Sequence, residues 1–396
     1  MKRLACVIIG AGPAGLAAAI SSSVPCLILE RNLIAGKKLL LSGSGQCNFT
    51  HDLSREEFLL KCGQFGAFLK PSLFAMDSQG LIDLMTENGC PVAVRADGKV
   101  FPASFNAEDV RDTLLRLVLA KGSRIEYDKK VVKVFPGEGF QVICEDGSEY
   151  QCRKLIIAGG GCSYPQTGSD GSAMELTKQL GHKIVKPRPA LASVKIRAYK
   201  SFVSCSGISL KRIKAILINP LKRFVVEGDI LFTHSGLSGP LILDNSHLLS
   251  GSDRIILELL PRAEQRIPLL LDKYARQNLL NCMKHSGLPE ALILALLSTK
   301  NIDPAQPAAQ VKKTTRFQIV SILSHLEFTV NEIESLSTSM LTAGGVSLKE
   351  VRAQNLESKL HPGLHFAGEI LDYNLPSGGF NIQAAISTGW LAGLCF

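Results

Sequence analysis

The sequence has no Cys-x-x-Cys pair among its eleven cysteines. That lack, with the odd count, argues against both a zinc ribbon and a disulfide framework. A reducing, cytoplasmic setting is the expectation that fits. No His, Cys, Asp or Glu spacing points to a metal. No apolar run of about 18 residues is free of Gly, Pro and charge, so no membrane-spanning helix is predicted. The basic, apolar start imitates a signal peptide only as far as Gly10, Gly12 and Pro13, which break the run. Internal repeats and low-complexity tracts are also missing. With 46% hydrophobic residues in 396, a disordered chain is excluded and the length allows two or three domains.

One further absence is local. Between Lys186 and Arg223 there is no Asp or Glu, while ten cations occur: Lys186, Arg188, Lys195, Arg197, Lys200, Lys211, Arg212, Lys214, Lys222 and Arg223. This segment, 186–223, is a candidate surface for a polyanion such as structured RNA. A solvated strand face is the competing reading.

What is present begins in the first thirty residues. Leu4 to Ile9 has the length and branching of a buried parallel strand. It runs into Gly10-Ala11-Gly12-Pro13-Ala14-Gly15, then a small-residue helix, a second apolar strand Cys26–Leu29, and Glu30. Strand, glycine turn, helix, strand and acid follow one another at the spacing of a dinucleotide site. Gly10 permits the tight turn, Gly12 lets a pyrophosphate approach the backbone, and Gly15 lets helix and strand pack closely. Glu30 would accept hydrogen bonds from the adenosine ribose.

Three glycine clusters close predicted elements along the chain: Gly10 to Gly15, Ala158-Gly159-Gly160-Gly161, and Gly368 with Gly378-Gly379. Strand ends followed by glycine are where open α/β sheets bind ligands. One discontinuous site built from both termini suits an extended two-part cofactor such as FAD. A helix opening at Gly379 would aim its positive end at the flavin. Between these clusters lie a loop over Gly36–Asn48, a helix from an Asn106 cap, and three β runs, 131–135, 140–144 and 148–152. A separate parallel-type strand is expected at 155–158, and a Ser172-x-x-Glu175 capping box after it. From about Pro187 the texture is basic and β-like. From about Ile267 it is helical, and it returns to nucleotide-domain character near Ala343. The fold class expected is therefore α/β, with one long insertion.

The ordered set of motifs resembles the BaiN-like (YhiN-like) family of NAD(P)/FAD-dependent oxidoreductases along nearly the whole chain. The matching stretches are Gly10–Gly15, Gly36-Lys37-Lys38 with Ser42–Asn48, Gly98–Pro102, Ala158–Gly160 with Thr167–Gly171, Leu231–Pro240, Ala343–Val346, Gly368–Asp372 and Ser377–Gln383. The resemblance implies a discontinuous, glutathione-reductase-like Rossmann FAD-binding domain (1–186 and 331–396). It also implies an inserted β-barrel-like domain (187–255) and a mostly helical insertion (256–330). It places FAD contacts at Gly10, Gly12, Pro13, Ala14, Gly15, Glu30, Arg31, Lys38, Ser42, Gly43, Asn48 and the backbone near Val132. Further contacts fall at Ala158, Gly159, Gly160, Gly368, Glu369, Asp372, Gly378, Gly379, Phe380, Asn381 and Ile382. Where relatives usually carry Gly-Arg-Cys-Asn, this chain has Gly45-Gln46-Cys47-Asn48, so a cation is missing.

A thiol at Cys47 or Cys162 would be placed to protonate a substrate carbon, against the plainer reading of a packed small residue. His234, in a Gly/Ser-rich loop, is a candidate acid or substrate contact, or a structural histidine. No second Gly-x-Gly-x-x-Gly unit follows, so NADPH or NADH would dock transiently if either is the donor. Hydride transfer between flavin and an unidentified substrate, a small molecule or structured RNA, is the expectation. Reduction of uridine in ribosomal RNA and a non-catalytic FAD-binding sensor or scaffold are the alternatives.

Overall fold

In a computed structural model, which describes residues 3–395, the chain forms two compact units, 1–189 with 336–396 and 190–335. Each has its own hydrophobic core.

The first unit opens with β1 (Leu4–Ile9), α1 (Pro13–Ser21) and β2 (Cys26–Leu29). β1 and β2 are parallel, with Cys6 opposite Cys26 and Ile9 opposite Leu29. All four residues of β2 are buried, as a strand covered on both faces requires. A 3-10 turn at Leu39–Gly45 leads to β3 (Thr50–His51), then α2 (Arg55–Lys61), α3 (Gly66–Ala75) and α4 (Ser78–Glu87). β4 (Val92–Val94) and β5 (Lys99–Pro102) join β3 in a small antiparallel sheet. α5 (Ala107–Ala120) is capped by Asn106, whose side chain accepts from Glu108 N at 3.0 Å. Val110, Leu114 and Val118 form its buried stripe. β6 (Arg124–Glu126), β7 (Val131–Gly137), β8 (Gly139–Cys144) and β9 (Glu149–Ile157) complete a sheet ordered β6-β2-β1-β9-β8-β7.

β9 corrects the sequence reading. The third hairpin run and the separate parallel strand are one continuous strand, nine residues long. Its first half pairs antiparallel with β8 (Phe140 opposite Cys152), and from Cys152 onward it pairs parallel with β1 (Ile9 opposite Ile157). No turn residue separates the halves, because Arg153-Lys154 continues the alternation.

α6 (Ser172–Gln179) and β10 (Ile184–Ala190) follow. The expected capping box does not form. Gly171 (φ 88°) is the cap, and Asp170 accepts from Ser172 N at 3.0 Å instead.

The second unit is a closed six-stranded antiparallel barrel with helices. Its elements run β11 (Val194–Ile196), β12 (Ser209–Ile218), β13 (Arg223–Phe232), β14 (Gly236–Ser238), α7 (Pro240–Leu243) and β15 (Arg254–Glu258). Then come α8 (Ala263–Lys273), α9 (Leu279–Lys284), α10 (Glu290–Ser298), α11 (Lys313–Ser324) and β16 (Leu326–Ile333). The stave β16 follows the helices in sequence and closes the barrel between β11 and β15.

Back in the first unit, β17 (Leu341–Val346) pairs with β10, and β18 (Leu364–Phe366) adds parallel to β9, with Phe366 opposite Ile157. The last helix, α12 (Phe380–Gly393), lies against α1 almost backbone to backbone: a Cβ on Gly389 would sit 2.0 Å from Ala14 O. Among the described residues no helix is long and apolar enough to cross a membrane.

Candidate cofactor and active site

β2, β1, β9 and β18 are successive parallel neighbours, and glycine follows β1, β9 and β18 at their carboxyl ends. This is the edge at which doubly wound sheets take ligands. Gly10 (φ 101°) turns the chain where any Cβ would lie 2.6 Å from Ala158 O, and a Cβ on Gly15 would lie 2.0 Å from Gly10 O. Both glycines are demanded by the protein itself. Gly12 is different: its backbone is extended (φ −78°, ψ 179°), and nothing lies within 4 Å of the Cβ it lacks. The fold has no steric need for glycine there, whereas a pyrophosphate seated at the start of α1 does. The residues thus fit a dinucleotide.

Glu30 is 6% exposed at the end of β2. Its Oε2 accepts from Ala11 N (2.8 Å), and its Oε1 accepts from Asn32 N (2.9 Å) and Asn32 Nδ2 (2.7 Å). The carboxylate is thereby aimed and fixed beside the glycine turn. Lys129 N donates to Glu30 O at 2.9 Å, so the segment entering β7 passes alongside; Val132 follows, half-buried at a register break. Arg31 spans to the loop after β9, with Nη1 2.7 Å from Asp170 Oδ1 and 3.2 Å from Gly168 O. Burial pushes the Asp170 carboxyl up, but Ser172 and Arg31 outweigh it and the net direction is down.

A second polar knot joins three segments far apart in sequence. Lys38 Nζ lies 2.5 Å from both Glu369 Oε2 and Ser163 Oγ. Ser163 Oγ donates to Glu369 Oε1 at 2.7 Å, and Thr342 N donates to the same oxygen at 2.9 Å. Asp372 lies nearby in sequence, raised by burial and partly held down by Arg188. Ser163 and Thr342 were not singled out by the sequence reading; a Ser following Gly159-Gly160-Gly161-Cys162 is the only hint it offers.

The loop Ser42–Asn48 is fastened to the start of α12. In the orientation its neighbours require, the Asn48 amide donates to Thr50 O (2.9 Å) and Val100 O (3.1 Å) and accepts from Gly379 N (3.2 Å). Ser42 Oγ donates to Leu39 O, and Gly43 takes a left-handed turn (φ 56°). Gly378 (φ 110°) and Gly379 (φ 94°) open α12 tightly against Thr50. The side chains here are engaged in structure. Phe380 stacks on His51 (centroids 5.1 Å), and Asn381 bonds Leu375 N and O at 3.0 and 2.9 Å. What α12 offers a ligand is therefore its positive N-terminal end, with half-buried Ile382 one turn in.

Cys47 has 0% exposure, and burial pushes its thiol up to about 12. Cys162 is half-buried and also raised, by burial first and by Glu369 and Asp170 next. His234 is exposed at the tip of a turn in the other unit, where Thr233 N donates to Gly236 O (2.9 Å). The cation absent at Gln46 comes from elsewhere: Arg95 Nη2 donates to Gln46 Oε1 (2.9 Å), its guanidinium 4.1 Å over the Phe101 ring. Sequence spacing gave no sign of that pairing.

The basic run looks different once folded. Lys195 pairs with Glu332 (2.6 Å) and Lys211 with Asp229 (2.6 Å). Lys214 has Glu227 opposite it on one strand and Glu258 on the other. A count along one segment does not see acids arriving on neighbouring strands, and these offset part of the run's charge.

A Rossmann-type sheet with a Gly-x-Gly-x-x-Gly turn after β1 and a fixed Glu30 after β2 is the fold of FAD-dependent oxidoreductases, and this chain is of that class. The chain matches the HI0933-like protein Rossmann domain over residues 4–395 and belongs to that family. A ribosomal RNA dihydrouridine synthase of Haemophilus influenzae is 30% identical, the alignment covering 98% of this chain and 97% of that protein. A 3-dehydro-bile acid delta(4,6)-reductase of Clostridium scindens is 28% identical over the same shares. Among solved structures, a 3-ketosteroid-delta4-(5alpha)-dehydrogenase from Rhodococcus jostii superposes with TM-score 0.53, covering 99% of this chain and 96% of that one. A flavocytochrome c3 fumarate reductase gives 0.53, covering 99% and 78%. At 16% and 14% identity these two show the shared fold.

Proposed function

We propose that this enzyme reduces a carbon–carbon double bond conjugated to a carbonyl, and that its substrate is either a small molecule or a uracil base in RNA. The observation that carries the first part is the turn after β1, where Gly12 is sterically free and Glu30 is fixed beside it by Ala11 N, in a chain of this family. FAD bound there supplies a hydride equivalent to the substrate and regains one from a donor, for which NADPH or NADH docking transiently is our assignment. Glu30 holds the ribose hydroxyls, Gly12 leaves room for the pyrophosphate, and the positive end of α12 favours negative charge on the ring system. Lys38 and Glu369, locked by Ser163 and Thr342, order the wall of the same cleft. We assign Cys47 to packing, since a thiol with no exposed surface touches no substrate.

The relatives' names supply both candidate substrates, ribosomal RNA in one and a bile acid in the other. The double bond of uracil and that of a 3-oxo-4,6-diene are each conjugated to a carbonyl, so one chemistry serves both. The test is to photoreduce the FAD-loaded protein without oxygen and add a uridine-containing RNA or a 3-oxo-4-ene steroid. Return of the oxidised flavin band with one of them, and a product two hydrogens heavier, supports the reading. A flavin that stays reduced with either, yet reoxidises at once in air, contradicts it.

A further inference from the structure

The second unit carries its charge unevenly. The barrel part of the second unit (190–258 and 326–335) holds nine Lys and Arg against eight Asp and Glu. The helical part, 259–325, holds nine against four. There the cations are also arranged. Ala263, Ile267 and Leu271 form the buried stripe of α8, while Arg262, Arg266, Leu269 and Lys273 follow at helical spacing on another face, all exposed. Arg262, Arg266, Lys273 and the adjoining Arg276 have no carboxylate partner among the described residues. Lys195, Lys211 and Arg254 on the barrel each have one, as do Lys284 and Arg316 among the helices.

Beside this cationic stripe lies an aromatic platform. Tyr274 and His285 are stacked with centroids 3.7 Å apart and planes 5° from parallel. His285 is exposed, so with one ring face covered by Tyr274 the other is open to a base. Arg266 Nη2 reaches Ser286 O (3.5 Å), which ties the stripe to the platform, and Lys273 Nζ lies 5.4 Å from the Tyr274 ring. Cations in excess over the acids Glu264 and Asp272 of the same helix, next to an exposed aromatic stack, are the combination that holds nucleic acid: ammonium and guanidinium groups on phosphates, a base on the ring.

We infer that the exposed stripe of α8 with the Tyr274–His285 stack is the surface that docks structured RNA, an inference that rests on the uracil-in-RNA reading above. Phosphates sit along Arg262, Arg266 and Lys273, and an unpaired base stacks on His285.

The test is fluorescence anisotropy of a fluorescein-labelled stem–loop RNA with the FAD-loaded full chain. The triple variant R262E/R266E/K273E is expected to bind at least tenfold more weakly, with a log–log salt slope shallower by about two, because three phosphate contacts are lost. H285A is expected to weaken binding severalfold with the salt slope unchanged, since stacking releases no counterion. K211E/R212E/K214E on the barrel is expected to stay within twofold. Flavin absorbance and thermal midpoint equal to the parent show that each variant is folded. An α8 variant that binds like the parent, a barrel variant that loses as much as the α8 variant, or polyglutamate displacing the RNA at equal charge overturns the surface assignment alone. A parent protein that binds no RNA overturns the uracil-in-RNA reading itself.

Discussion

The Cβ that Gly15 lacks would sit 2.0 Å from the carbonyl oxygen of Gly10, whereas the Cβ that Gly12 lacks would meet nothing within 4 Å. Two glycines of one motif thus answer to different demands, one from the fold and one from the ligand. Gly15→Ala is expected to prevent folding or cost several kcal/mol, because backbone on both sides must shift. Gly12→Val is expected to change stability by no more than about 1 kcal/mol while weakening FAD binding by about tenfold or more, 1.4 kcal/mol per decade. Urea unfolding of the cofactor-free protein, beside FAD titration, separates the two.

Glu369 accepts from Lys38, Ser163 and Thr342 N at once. Glu369→Ala takes their acceptor from the Ser163 hydroxyl and Thr342 N in a largely buried place, while Lys38 keeps Ser163 Oγ, and is expected to destabilise by about 2–3 kcal/mol. Glu369→Gln keeps one acceptor oxygen and is expected to cost less. Denaturant midpoints at constant slope check the order. Equal stability of all three proteins would show that the knot does not hold the unit together.

Cys47 was the residue whose sequence surroundings looked most chemical and whose place in the fold looks least so. Native protein treated with iodoacetamide near neutral pH is expected to leave Cys47 unmodified, and unfolding in denaturant to expose it, as read by peptide mass. Labelling of Cys47 at a rate typical of an exposed thiol would reopen its candidacy as a proton donor.

His182 is enclosed, with ring nitrogens 3.0 Å from Glu350 Oε2 and 2.9 Å from Ser358 Oγ, and it pins the segment before β18 to α6. Burial lowers its pKa below the ordinary 6.5, with Glu350 pulling the other way. The unfolded chain therefore takes up the proton first. The contribution to stability is fully present above about pH 6.5 and is lost as pH falls from there through the lower folded value. His365 is lowered too, by burial, and adds in the same direction. Thermal midpoints are expected to fall over that range in the parent protein and to fall less in His182→Gln.

Arg95 rests on Phe101 and bonds Gln46, which puts a cation beside the Ser42–Asn48 loop. Arg95→Ala is expected to raise KM with FAD content and kcat nearly unchanged. Arg95→Lys is expected to restore only part of the loss, since an ammonium lacks the planar stacking face. A change in kcat alone would place Arg95 outside substrate binding.

How far the sequence could be read followed the range of the interactions. The Gly10–Glu30 unit is contiguous, so strand, turn, helix and acid were all visible, as was the Asn106 cap with the stripe Val110, Leu114 and Val118. Membership of the family came from ordered motifs along the whole chain. The Lys38–Glu369–Ser163–Thr342 knot and the Arg95–Gln46 bond were not visible, because their members are brought together only by tertiary packing. The continuity of β9 was hidden by its change of partner at Cys152, from β8 on one edge to β1 on the other. The net charge around 186–223 was legible only in part for the same reason: Glu227, Asp229, Glu258 and Glu332 lie outside it in sequence and beside it in space.

The measurement that tests the account most directly is FAD uptake by the purified protein, read as flavin absorbance retained after ultrafiltration, with Gly12→Val in parallel. The account predicts stoichiometric FAD in the parent, bleached without oxygen by NADPH or NADH, and little or none in a variant that unfolds at the same urea concentration. A parent protein that retains no FAD after reconstitution, or a Gly12→Val variant that retains it equally well, would contradict the claim that the Gly10–Glu30 turn is where the cofactor sits.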